Sequence, residues 1–173
     1  MTDRFAHRLK LDGIRDGDRI ELIANDDERQ AVAERLGLPS LGAFQAHATL
    51  TRKGTLIEAD GRIVASLEQR CVVTGDPVPA HIDEAFSLVF MREPEIRADD
   101  EVELGPADCD VVFHDGSTID LGAAIADTLA LSLDPYPRSA GADAALKEAG
   151  VLSEAEAGPF AALAQLKKGS ESS

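Results

Sequence analysis

The stretch Phe44–Phe90, FQAHATLTRKGTLIEADGRIVASLEQRCVVTGDPVPAHIDEAFSLVF, decides the fold. Its apolar residues recur at every second position: Phe44, Ala46, Ala48 and Leu50, then Leu56, Ile63, Ala65 and Leu67, then Cys71 and Val73. Beyond Thr74-Gly75-Asp76-Pro77 come Val78, Ala80 and Ile82, then Phe86, Leu88 and Phe90. A period of two places alternate side chains on opposite faces of a strand, which predicts an antiparallel meander with one buried and one wet face. Lys53-Gly54, Asp60-Gly61 and the Thr74–Pro77 tetrapeptide are its expected turns.

Working outward, FAHRLKL (Phe5–Leu11) and RIELIA (Arg19–Ala24) alternate in the same way and read as two further strands. Between the second strand and the meander, NDDERQAVAERLGLPS has an Asn25 or Asp26 cap, acids in its first turn and a Gly37…Pro39 stop, the pattern of one N-terminal helix. After the meander, DVVFHDGSTID offers a short strand and a turn. In DLGAAIADTLALSLDPYP, Asp120 can cap a second helix that carries Leu121, Ala124, Ile125, Thr128 and Leu129 on one face and stops at Asp134-Pro135. Gly158-Pro159 reads as the start of a last helix ending near Gly169, whose Phe160, Leu163 and Leu166 form a narrow docking stripe. The expected fold class is therefore α+β: an antiparallel β-meander, open or partly closed into a barrel, with one N-terminal helix, one helix after the acidic segment and a C-terminal docking helix. Residues 1–137 are expected to form one domain, and 138–173 an Ala-rich arm with a disordered Ser-Glu end.

The 173 residues carry a formal net charge of −15. That charge is not spread evenly, because residues 1–53 hold nine basic and nine acidic side chains, whereas residues 54–173 hold eight against twenty-three. The excess peaks in Glu93–Asp120, with ten acids and Arg97 as the one base. Such a segment repels phosphate backbones and attracts basic proteins. The signals of export and of membrane spans are missing, and two cysteines do not make a disulfide scaffold, so a soluble cytoplasmic protein with no membrane association is expected.

The chemical motifs are weak. Cys71, Cys109, His7, His47, His81 and His114 include no C-x-x-C or H-x-x-x-H pair, so no metal site is expected. Cys71, expected within a strand, reads as a small buried side chain and not as an activated nucleophile, while Cys109 lies between Asp108 and Asp110. No glycine-rich phosphate loop occurs, no spacing singles out a carboxylate pair, and an acid-assisted hydrolase centred on His114 is the weakest of the readings. Neither catalytic residues nor cofactor are expected.

Three segments together resemble a known family: LEQRCVVTGDPVPAHIDEAFSLVF (Leu67–Phe90), IDLGAAIADTLALSLDPYPRS (Ile119–Ser139) and GPFAALAQLKKG (Gly158–Gly169). They look like the YceD family, the large ribosomal RNA subunit accumulation proteins, in the form found in alphaproteobacteria. Members commonly carry C-x-x-C where this chain has Cys71 and Thr74, and many end in a cysteine-rich segment suited to zinc, whereas Tyr136–Ser173 contains no cysteine. The family's metal is therefore not carried over. The resemblance implies a non-enzymatic ribosome biogenesis factor that supports accumulation of large-subunit (23S) ribosomal RNA.

Joined to the charge distribution, that implication gives the leading expectation: binding of a basic ribosomal or assembly protein, with ribosomal RNA reached indirectly. The expected partner-binding residues are Asp99, Asp100, Glu101, Glu103, Asp120, Pro135, Tyr136 and Pro137. Ile125 and Leu129 are expected to pack inward and Tyr136 to be exposed. The alternative is direct binding of structured ribosomal RNA through the N-terminal third, with Arg4, Arg8, Lys10, Arg52 and Lys53 facing one way.

Overall fold

In the computed structural model, the described residues are 5–93 and 110–151. Three long strands dominate them: β3 (Ser40–Lys53), β4 (Leu56–Arg70) and β5 (Pro77–Arg92), preceded by β1 (Arg8–Lys10) and β2 (Arg19–Ile23) and followed by β6 (Asp110–His114) and β7 (Thr118–Asp120). The main sheet has the order β2-β3-β4-β5-β6, and β1 and β7 form a separate antiparallel ribbon. The sheet is open, with β2 and β6 as its edges, and does not close into a barrel.

The period-two pattern is obeyed to the residue in β3, where Phe44, Ala46, Ala48 and Leu50 are buried between exposed Gln45, His47 and Thr49. On the facing strand Ile57, Ala59, Ile63, Ala65 and Leu67 are buried likewise. Full burial of a side chain such as Leu50, Ile57 or Ile63 is worth about 1.5–3 kcal/mol, so this pair of strands anchors the core.

Two expectations are corrected. Asp60-Gly61 is not a turn: β4 runs straight through it, and Gly61 lies in register with Ala48. A Cβ at Gly61 would lie 1.9 Å from the His47 carbonyl oxygen and 2.8 Å from Phe86 Cζ. The glycine therefore serves close approach of neighbouring chain, not chain reversal. The sheet is also not purely antiparallel, because β6 pairs with β5 in parallel, Leu88 against Asp110 through Arg92 against His114. A parallel neighbour needs a long crossover, and residues 93–109 supply one.

Helix α1 (Asp26–Leu36) starts on a capping box in which the Asn25 side chain accepts from Glu28 N and the Glu28 carboxylate accepts from Asn25 N. It stops at Gly37, whose φ of 66° is left-handed. Helix α2 (Leu121–Ser132) is capped by Asp120 and buries Leu121, Ala124, Ile125 and Leu129. A short third helix, α3 (Ala142–Glu148), occupies part of the segment expected to be an arm. The last helix expected from the sequence, Gly158–Gly169, lies outside the described residues.

The chain divides into two compact units, Met1–Gln69 with Pro79–Pro135, and Arg70–Val78 with Tyr136–Ser173. In the first, Phe5 packs on Phe44 with ring centroids 4.6 Å apart, and Gln69, the one buried polar residue among those described, donates to the Asp134 carbonyl at 2.8 Å. Among the described residues no helix is long and apolar enough to cross a membrane.

Candidate functional site

The acidic segment connects β5 to β6 in the first unit. Its two ends are fixed at opposite ends of β6: Glu93 N donates to the His114 carbonyl at 3.2 Å, while Asp110 opens the strand beside Leu88. The acids between Glu93 and Asp110 lie outside the described residues. Beyond His114 the chain reverses through Asp115-Gly116-Ser117, with Gly116 at φ 95°. The Asp115 carboxylate accepts from the Ser117 hydroxyl at 2.7 Å and from the backbone N–H groups of Ser117 and Thr118, and the Ser117 hydroxyl bond foremost holds it below the usual carboxylate range.

β6 itself is unusual for an edge. Val111 and Phe113 are 39% and 49% exposed, while Val112 is half-buried. His114 Nδ1 accepts from Gly116 N at 2.9 Å, so in the neutral ring the proton sits on Nε2. That Nε2 is buried and has no hydrogen-bond partner among the described residues, a deficit of about 1–3 kcal/mol. His114 borders a cleft of about 440 Å³ together with Phe90, Val112, Phe113, Thr118 and Ile119. Asp115 and Asp120 line the same cleft, but the Asp115 carboxylate is taken up by its own turn, that of Asp120 by Ala123 N and His7 N, and among the described residues neither is hydrogen-bonded to His114.

Asp99, Asp100, Glu101 and Glu103 lie outside the described residues. Asp120 is structural: its Oδ1 accepts from Ala123 N and His7 N, each at 3.0 Å, and its Oδ2 lies 3.6 Å from Arg8 Nε. Pro135 belongs to the first unit, whereas Tyr136 and Pro137 belong to the second, where Tyr136 is 73% exposed and Pro137 is buried.

Of the residues in the RNA reading, Arg4 lies outside the described residues. Arg8 and Lys10 are exposed on β1, Arg8 beside Asp120. Arg52 is committed to backbone, its Nη1 donating to the carbonyls of Leu11 at 2.8 Å and Ile14 at 3.3 Å, and Lys53 pairs with Glu58 at 2.8 Å. Arg52 and Lys53 are neighbours within β3, where strand alternation sends successive side chains to opposite faces.

The second unit holds a thiol that the sequence undervalues. β4 ends at Arg70, so Cys71 is not within a strand but opens a turn: its carbonyl accepts from Gly75 N at 2.9 Å, its N–H donates to the Asp76 carbonyl at 2.8 Å, and Gly75 has φ 77°. Cys71 is buried, and its Sγ accepts from Ser139 Oγ at 3.4 Å, Ser139 N at 3.3 Å and Thr74 N at 3.4 Å. These bonds, led by the Ser139 hydroxyl, outweigh burial and bring the thiol down to about 6. Sequence reasoning does not single out Ser139 as a partner of Cys71, because the two lie 68 residues apart and nothing in the sequence joins them. The Thr74 hydroxyl, where the family resemblance implies a second cysteine, lies 3.3 Å from Ser139 Oγ. One thiol and two hydroxyls do not fit the four Cys or His ligands of a structural zinc site. Among the described residues no group of three or more His, Cys, Asp or Glu could hold a metal ion.

A family model described as "Large ribosomal RNA subunit accumulation protein YceD" matches residues 59–167, from β4 into the segment beyond α3. No curated protein and no solved structure gives a match.

Proposed function

Since the chain belongs to the YceD family of large ribosomal RNA subunit accumulation proteins, we propose that it supports accumulation of that RNA by holding a basic protein partner at its acidic crossover. The family's description names an accumulation factor and no reaction. The observation that carries the reading is the placement of the charge: the densest run of acids is the connection whose ends are pinned along one sheet edge, at Glu93 and Asp110. Ribosomal proteins must neutralise phosphates and are correspondingly rich in Lys and Arg, so an acidic surface offers a non-RNA holding site before assembly.

Affinity capture from cell extract at moderate and at high salt tests this. Retention of basic ribosomal or assembly proteins that declines as salt rises is expected. Retention indifferent to salt, or retention of none of them, overturns it. Direct RNA binding through Arg8 and Lys10 competes with this reading; it predicts affinity of the isolated protein for large-subunit RNA near physiological salt, falling steeply with further salt.

A further inference from the structure

We propose that the cleft between β6, β7 and the first turn of α2 is a binding site for a small carboxylate carried on an apolar body. Its volume, about 440 Å³, lies within the range of small-molecule sites, and the described residues that line it all belong to the first unit. Strand register lays down its walls. Phe90 pairs with Val112 and Arg92 with His114, so these four side chains form two successive rungs on the same face of the sheet. Ile119 and Ala123 add apolar surface from β7 and α2, and Arg8, whose side chain is 77% exposed, borders the cleft from β1.

Unused hydrogen-bond donors select the ligand. Both carboxylates of the cleft are committed, Asp115 Oδ1 to its turn with Ser117 and Thr118, and Asp120 Oδ1 to Ala123 N and His7 N. The cations are not. Arg8 Nε lies 3.6 Å from Asp120 Oδ2, too long for a hydrogen bond, and Arg92, beside His114 and the Gly116 turn, has no hydrogen bond or ion pair among the described residues. Arg29, Arg35, Arg62 and Arg138, by contrast, are each paired with an aspartate. His114 supplies a third donor: Nδ1 is occupied by Gly116 N, and the buried Nε2 has no partner among the described residues, a deficit that an acceptor oxygen held in the cleft would remove. Donors in this arrangement call for an anionic oxygen ligand, and the planar fork of a guanidinium matches a carboxylate. Arg8 and Arg92 balance Asp115 and Asp120, so one negative charge is accommodated more readily than the nearly two of a phosphate group. The walls made by Phe90, Val112 and Ile119 then take the apolar body.

The test titrates the isotope-labelled full-length protein with hexanoate, hexylamine, hexanol and inorganic phosphate while its backbone amide and His114 imidazole signals are followed by NMR. Hexanoate is expected to shift Val112, Thr118, Ile119 and the His114 Nε2–H signal together and saturably, with an affinity about tenfold higher than that of the amine or the alcohol. Arg8→Gln and His114→Asn should each weaken hexanoate by about tenfold with unchanged circular dichroism, since the asparagine oxygen can still accept from Gly116 N while the Nε2 donor is lost. Equal affinity for hexanoate, the amine and the alcohol overturns the carboxylate assignment, as does phosphate binding more tightly than hexanoate. Parent-like binding in both variants, or no saturable shift with hexanoate, overturns the site itself. None of these results touches the proposed partner function, which uses none of these side chains.

Discussion

Gly61 and Gly75 each stand beside an aspartate, yet their surroundings are opposite. At Gly61, in the middle of β4, an added Cβ meets the His47 carbonyl, Ala48 Cα and Phe86 Cζ, all closer than 3.0 Å. At Gly75, in the turn that Cys71 opens, nothing lies within 4 Å, and the requirement is the backbone's own φ of 77°. One glycine is demanded by neighbours distant in sequence and the other by its own dihedral angle. The central sheet is therefore specified by packing, and the Cys71 turn by local conformation and polar contacts.

The largest test of this contrast is Gly61→Val, which forces backbone against backbone and should cost about 3 kcal/mol or more. Gly75→Ala strains one residue in open space, and about 1–2 kcal/mol is expected. Urea unfolding of both variants checks the order, and a larger loss at Gly75 would break the comparison.

Asp120→Ala lies between the two kinds, since it removes both a local cap on Ala123 N and a distant bond to His7 N. A loss of about 1–2 kcal/mol is expected from unfolding midpoints, with Asp120→Asn recovering much of it because its amide oxygen still caps. A variant as stable as the parent would show that the β1–β7 ribbon does not depend on this carboxylate.

The smallest effects belong to the Cys71 thiol. Ultraviolet thiolate absorbance that is lost in Cys71→Ser should titrate near pH 6, and in Ser139→Ala that transition should move towards the ordinary thiol range. A thiol lowered on folding stabilises the folded state fully above its unfolded value and loses that contribution as pH falls through about 6. The stability difference between the parent and Cys71→Ala should therefore shrink from alkaline pH down to about 6, and a difference that grows over this interval would reverse the assignment.

Much of the core was legible one residue at a time. The alternation of Phe44, Ala46, Ala48 and Leu50 is the burial pattern of β3, and the signals at Asn25, Gly37 and Asp120 coincide with the ends of α1 and the cap of α2. Asp60-Gly61 misled because a turn glycine and a close-contact glycine look identical until the neighbouring strand is in place. The candidate site was legible as a run of charge, but its anchoring was not: whether β6 lies parallel or antiparallel depends on how the crossover travels.

What the sequence determined by itself was therefore everything carried by period, capping and composition: the two-faced strands, the helix signals, the acidic segment and the family resemblance. Only the tertiary structure decided that β4 passes through Gly61, that β6 is a parallel edge exposing Phe113, and that Ser139 reaches the Cys71 sulfur. The reason is physical. Period and capping are fixed by atoms within a few residues, whereas strand direction, close approach and a thiol's acidity depend on atoms that only folding brings together.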